Sequence, residues 1–265
     1  MITISSLIYY PIKACRGFEV QSAHVERMGL QHDRRMMVTT PDGKFLTQRE
    51  QPRLALVTPS LADGTLELCA PDYDSLYLGI RTTGTPVAVE VWKSRGVQAI
   101  DQGEEAAHWF SDWLGAPARL VHVADGYKRL VNEAYAVNPD DHTGFADGYP
   151  ILLTSEEGLA DLNSRLEAPV PMNRFRPNVV VRGGGPFEED SWNRIQAGDV
   201  KLAVVKPCAR CEVTTTDKET LERSKEPLKT LGRYRKHELG AIFGQNVIPL
   251  NAGQLRVGLP VDVLS

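Results

Sequence analysis

A chain of 265 residues, 42% of them apolar and 24% charged, is long enough for one large domain or two small ones with a sizeable buried core. Its formal net charge of −4 excludes general attraction to nucleic acid or anionic lipid, so any basic site must be local. No window approaches the roughly 20 apolar residues of a membrane span, and Met1–Lys13 lacks the basic start and apolar run of a signal peptide.

The first hundred residues carry strand patterns and turns. Ile2–Lys13 alternates like a half-buried strand. Asp42-Gly43 stands between the strand-like runs Arg34–Thr40 and Lys44–Glu50, and Asp63-Gly64 between Leu54–Leu61 and Thr65–Ala70, which predicts two hairpins. Ser75–Ile80 and Pro86–Trp92 continue the series. Short strands at this spacing predict a barrel or sandwich portion. Gly103–Gly115 then predicts a helix, with acids in its first turn, a closing glycine, and Trp109, Phe110, Trp113 and Leu114 at helical spacing as a core stripe. Residues 125–147 read as a long polar loop. Thr154–Glu167 predicts a second helix, capped by Thr154 with Glu157, with Leu159, Leu162 and Leu166 on one face.

Arg176–Val181, Trp192–Pro207 and Cys211–Thr216 read as strands, Glu226–Arg235 as a helix, and Phe243–Leu250 and Gln254–Leu264 as closing strands. Arg182–Pro186 ("RGGGP") lacks the Lys-Ser/Thr of a phosphate loop and reads as a strand-ending turn. The fold class is mainly β with α (α+β). Two parts, 1–122 and 123–265, are expected to meet at an intimate boundary, since no repeat, low-complexity tract or clean linker separates them.

Cys15, Cys69, Cys208 and Cys211 form no disulfide framework, which points to a reducing, cytoplasmic compartment. Cys208 and Cys211 sit three apart in "KPCARCEVTTTD". A zinc clamp needs a second cysteine or histidine pair at ligand spacing, and the six histidines are scattered. A redox dithiol belongs at a helix start after a strand, whereas "CEVTTT" continues as strand. On pattern alone, buried structural cysteines compete with an electropositive thiolate suited to a soft metal or to nucleophilic chemistry. Arg210, between the two thiols, favours the second.

The pair has company. "KPCARCEVTTTD", with "NRFRPNVVV" (Asn173–Val181), "EEDSW" (Glu188–Trp192), "EPLKTLGRYR" and "FGQNV", resembles a MOSC domain. "YPIKACRG" (Tyr10–Gly17), "GLQHDRRMMV" (Gly29–Val38) and "FLTQRE" (Phe45–Glu50) resemble the β-rich domain that precedes MOSC, in the branch of the YcbX proteins and the amidoxime-reducing components. The resemblance runs from about Ile4 to Leu264. It implies a β-barrel MOSC domain packed against the N-terminal domain, and a molybdenum cofactor, Mo-molybdopterin, with Cys211 as the protein ligand to molybdenum and Cys208 a neighbour.

The same resemblance implies phosphate and pterin contacts at Lys13, Arg34 and Arg176, with Arg210 beside the thiols; guanidinium suits bidentate contact to phosphate. Arg49 is a weaker candidate. Ala14 stands where relatives often carry serine, which leaves its backbone N–H as a donor. Gly148 and Tyr149, after Asp147, fall where relatives contact the pterin through main chain. Asn246 falls where some carry an aromatic residue. His32, beside Asp33-Arg34, reads as structural.

The implied activity is reduction of N-hydroxylated compounds: amidoximes, hydroxylamines and N-hydroxylated bases. No ferredoxin-cluster spacing, haem or dinucleotide motif is present, so electrons are expected from a separate ferredoxin or flavoprotein. Neither nucleic acid nor membrane is an expected partner. Two other readings stand beside this one: a carrier of sulfur or of the cofactor through a Cys211 persulfide, since MOSC domains also end cofactor sulfurases, and a module that binds a small anion without chemistry.

Overall fold

The computed structural model describes the whole chain, Met1–Ser265, as a mainly β protein with three α-helices. Its largest sheet runs Phe18–Val20, Thr3–Tyr9, Val179–Arg182, Ile151–Ser155, Gly240–Pro249, Val200–Ala209, Arg194–Ala197 and Val261–Val263, with Lys236–His237 added beside Gly240–Pro249. The first strand of the chain therefore lies within the sheet made by its last third. Leu7 is opposite Val179, which in turn pairs with Leu153 in a parallel ladder. Alternation along these strands, with a register shift between Ile4 and Ser6 in the first, sends Ile4, Leu7, Leu153, Val179, Val181, Leu202 and Val247 into one core. Each such side chain contributes roughly 1.5–3 kcal/mol by leaving water.

A second sheet orders Met36–Thr39, Arg119–Val123, Ser94–Asp101 and Val87–Val91, and a meander joins Thr58–Ala62, Thr65–Ala70 and Tyr73–Gly79. Helix α1 (Glu104–Leu114) buries Trp109, Phe110, Trp113 and Leu114 among Met36, Val38, Leu66 and Leu68. Both indoles keep a hydrogen bond, to Asp74 O (2.7 Å) and Arg53 O (3.4 Å). The aromatic stripe is core, as its spacing predicts. Gly115 ends the helix at φ +67°.

Four expectations need correction. The Asp63-Gly64 hairpin forms, but the one at Asp42-Gly43 shrinks to a Thr39–Phe45 bridge. Thr47 donates through both its amide and its hydroxyl to the Glu50 carboxylate, a local closure that competes with a ladder. "CEVTTT" leaves the sheet: Glu212–Thr215 is a 3-10 turn with Cys211 at its N-cap. The Thr214 and Thr215 hydroxyls donate three residues back, to Cys211 O (2.9 Å) and Glu212 O (2.7 Å), which favours the turn over a strand. Helix α2 (Glu156–Asn163) is capped by Ser155 rather than Thr154, because Ser155 Oγ accepts from Gly158 N and donates to Glu189; it stops before Leu166. Within 125–147, Arg129–Leu130 pairs with His142–Thr143.

The N-terminal layer meets the large sheet backbone to backbone at Gly29. A Cβ there would lie 2.4 Å from Pro150 O, at φ +101°, whereas Gly64, at φ +75°, has open space. Gly64→Ala is expected to cost about 1–2 kcal/mol of left-handed backbone strain. Gly29→Ala should cost clearly more in urea unfolding, and equal losses would contradict the close approach.

Candidate functional site

A cleft opens where the N-terminal segments meet the end of the Val200–Ala209 strand. Lys13, Ala14, Arg34, Gly148, Tyr149, Arg176, Arg210, Cys211 and Asn246, the residues singled out from sequence, all line it. Arg49 and Cys208 do too. Trp92, Gln48, Arg174 and Asn178 were not singled out and complete much of the wall.

The deepest arrangement is built on Tyr10. The guanidinium carbons of Arg34 and Arg176 lie 4.3 and 4.2 Å from the centroid of its ring. Arg34 donates to Asp33 Oδ2 (2.8 Å), Asn178 Oδ1 (2.9 Å) and Arg176 O (3.1 Å), and Arg176 to Cys15 O (2.6 Å). Asp33 also accepts from Tyr10 N (2.8 Å). Asn178 adds bonds from Leu152 N and to Ile8 O, so one buried carboxamide joins three segments. Burial pushes the Tyr10 phenol up to about 12 against the pull of Arg176 and Arg34, and it stays neutral. Burial lowers the pKa of Arg176; it works against Arg34 as well, but Asp33 and Tyr10 outweigh it and raise that one.

Ala14, Arg34, Trp92 and Arg176 have φ of +70°, +46°, +52° and +58°. Four of the chain's nine non-glycine residues with positive φ thus line this one cleft. Each costs about 1–3 kcal/mol, and such strain concentrates where geometry serves function.

At the mouth, Lys13 Nζ pairs with Asp147 Oδ1 and donates to Phe145 O (3.0 Å), 5.6 Å from the Trp92 ring. Trp92 Nε1 donates to the same carboxylate oxygen (3.0 Å), and Arg49 lies 5.0 Å over the Trp92 ring. Burial lowers the Lys13 pKa, against the pull of Asp147. For Asp147, enclosure by the cleft walls works against the charge, but Lys13 and the Trp92 N–H more than offset it. Its carboxyl is held well below the usual range, although solvent still reaches the side chain.

The cysteines sit where the sheet gives out. Pairing of Val200–Ala209 with Gly240–Pro249 slips between Val204 and Lys206 and again between Pro207 and Ala209. Pro207 has no N–H for the ladder, and such bulges re-aim side chains. Asn246 Nδ2 reaches back to Lys206 O (3.2 Å) across the first slip. Arg210 donates to Cys208 Sγ (2.9 Å) and Phe175 O (2.6 Å), so its hydrogen bond goes to Cys208 and leaves the Cys211 thiol free of it. Several polar groups on the walls have no protein partner: the buried Arg210 Nε, Arg174 Nε and Tyr149 hydroxyl, and the amides of Ala14, Gly148 and Tyr149, which donate to no protein backbone acceptor.

Residues 1–117 match the MOSC N-terminal beta barrel domain and residues 140–262 the MOSC domain. Mitochondrial amidoxime-reducing component 1 of Mus musculus is 39% identical over 280 aligned residues, which cover 99% of this chain and 82% of the relative. The chain belongs to the MOSC family of amidoxime-reducing components. The Homo sapiens component 1 is 38% identical with 99% and 83% covered, and component 2 of Bos taurus 36% with 98% and 82%. These relatives are named as mitochondrial proteins, so the cytoplasmic expectation does not stand. Cysteine usage reports a reducing environment and cannot say which compartment provides it.

Of the buried cations of this MOSC-family chain that the sequence does not single out, Arg35, Arg129, Arg174 and Lys218, the last is the most perturbed. Lys218 donates to Gln48 Oε1 (2.7 Å) and Val213 O (2.8 Å) behind the cleft. Burial, with Arg176 and Arg174 nearby, pushes its pKa down to about 7. Between pH 7 and about 10.4 the unfolded chain therefore binds a proton here that the folded chain does not, so stability rises with pH across that window. The difference in unfolding free energy between wild type and Lys218→Met should shift toward the wild type as pH goes from 7 to 10, and a pH-independent difference would contradict the assignment.

Proposed function

We propose that the cleft holds a molybdenum cofactor and that the protein reduces N-hydroxylated compounds with electrons from an external donor protein. The observation that carries this is the convergence of three sequence-distant cations, a thiol and unpartnered donors in one strained cleft, on a chain nearly 40% identical to amidoxime-reducing components. When bound, the cofactor supplies the two-electron chemistry that removes the oxygen of an N–OH group.

The residues present fit that group. Arg34 has two of its five N–H groups and Arg176 four without a protein acceptor, and both side chains line the cleft, where they would seat the terminal phosphate. Lys13 adds a third charge, shared with Asp147. The amides of Ala14, Gly148 and Tyr149 and the carboxamide oxygen of Asn246 offer donors and an acceptor to the polar edges of a pterin. An added Cβ at Gly148 would meet nothing within 4 Å, so main chain is reachable there. Arg210 ties Cys208 to Phe175 O and so fixes the turn that presents Cys211. Cys211 is the protein ligand to molybdenum, and must be a thiolate to serve. Trp92 and Asp147 frame the entrance that a small N-hydroxylated substrate would cross.

Cys211→Ala should lose bound molybdenum and the reduction of an amidoxime by a reduced viologen dye, whereas Cys208→Ala keeps most of both. Molybdenum analysis beside the dye assay checks this. Equal loss in the two variants would return the pair to a dithiol role. Sulfane sulfur on Cys211 without reductase activity would instead favour the carrier reading.

A further inference from the structure

Residues 223–236 hold six cations against one acid, Glu226, a net of +5 in a chain of net −4 that leaves −9 on all the rest. Arg235 is consumed by Asp190. Arg223, Lys225, Lys229, Arg233 and Lys236 are all exposed, and none has a carboxylate within 4 Å.

Their spacing makes a surface. Helix α3 spans Leu228–Tyr234, and Lys229 N donates to Lys225 O (2.9 Å), which holds Lys225 beside its N-terminal end. Lys229 and Arg233, four apart on the helix, therefore fall on one face, with Lys225 tied to the helix end next to them. Like charges so placed cost a helix about 0.2–0.5 kcal/mol per pair, so helix stability does not account for the stripe. The opposite face buries Thr230 and Leu231, the latter in one cluster with Phe175 and Phe243. Phe175 lines the cleft. The stripe thus stands about one helix diameter, roughly 10 Å, outside the cleft wall. Its N-terminal end is tied to the rim: Arg223 donates to Gln48 O and Arg49 O (both 2.9 Å), and Ser224 N to Thr215 O (3.2 Å) in the strand-turn region that carries Cys211.

We infer that Lys225, Lys229 and Arg233, flanked by Arg223 and Lys236, are the docking surface for an acidic electron-transfer protein. This rests on the reductase reading above. Converting R–NHOH to R–NH2 and water consumes two electrons and two protons; the docked donor is oxidised to supply the electrons, and water supplies the protons. A positive face on an otherwise acidic molecule orients an acidic donor toward the cleft and repels it elsewhere. A membrane would also be drawn to cations, but the tie to the cleft rim favours a partner whose task lies at the cleft.

The test uses the full-length holoprotein and the variant K225E/K229E/R233E, with an acidic [2Fe–2S] ferredoxin and an acidic flavodoxin as protein donors. Wild type should bind at least one donor, more weakly as salt rises. The variant should bind it at least about tenfold more weakly at low ionic strength, while turnover driven by reduced methyl viologen and molybdenum content stay at the wild-type level. Unchanged donor affinity in the variant, or no wild-type affinity for either donor, overturns the proposal. So does loss of binding to phosphatidylserine vesicles with donor affinity intact, which would make the stripe a membrane contact. Absence of viologen-driven turnover in the wild type would defeat the reductase reading alone, since the binding measurement still decides the stripe.

Discussion

Arg34 and Arg176 share the ring of Tyr10, and the rest of the site depends on that sharing. With guanidinium carbons 4.3 and 4.2 Å from one centroid, the two charges are at most about 8.5 Å apart. At an effective dielectric of about 20 they repel by roughly 2 kcal/mol or more. Asp33 neutralises part of this, the ring face attracts both cations, and carbonyl oxygens of Cys15 and Arg176 accept their N–H groups. What is left is a pair of guanidinium groups lining a cleft, with N–H groups that have no protein acceptor. An anion bound there would relieve the repulsion that the fold sustains.

The fold is arranged so that the two arginines can meet. After the Thr3–Tyr9 strand the chain runs through Phe18–Val20, Ser22–Glu26 and Gly29–Leu30 and returns with Arg34 N donating to Tyr10 O. Arg176 precedes the Val179–Arg182 strand that pairs with Thr3–Tyr9. Asn178 fastens Ile8, Leu152 and Arg34 at the same point. Both arginines hold left-handed backbone, strain that the core around Leu7 and Val179 sustains. The Val200–Ala209 strand, beyond Ile151–Ser155 and Gly240–Pro249 in the same sheet, loses register twice and turns out at Cys211, which brings the thiol to the same cleft. Separating the two halves of the chain would dismantle the site, because each supplies one arginine.

Much of this was legible in the sequence, and the reasons differ by residue. Alternation placed the strands of the large sheet, and the Trp109–Trp113 stripe announced its own burial. Lys13, Arg34, Arg176 and Cys211 stand inside recognisable motifs, so they could be named before any geometry. Trp92 could not: it closes a strand-like run, and only its left-handed backbone turns the indole toward Asp147. Asn178 sat inside the "FRPN" motif, but a carboxamide that fastens three segments leaves no periodic trace. Lys218 reads as one more surface lysine until Gln48 and Val213 enclose it. "CEVTTT" was misread because threonine favours strands in general, while here two hydroxyls bond back to the chain. The partner of Arg210 followed from that turn, which no spacing rule encodes.

The central claim is that the paired arginines seat the phosphate of the cofactor. Retention of molybdopterin after extensive dialysis, compared among wild type, Arg34→Ala, Arg176→Ala and the two lysine variants, tests it most directly. Each charge-assisted contact should contribute roughly 1.5–3 kcal/mol, so either alanine variant should hold the cofactor about ten- to a hundredfold more weakly. Lysine should restore only part of it, since an ammonium lacks the guanidinium fork, and the far-ultraviolet circular dichroism should stay that of the wild type. Alanine variants that retain the cofactor as tightly as the wild type would contradict the account.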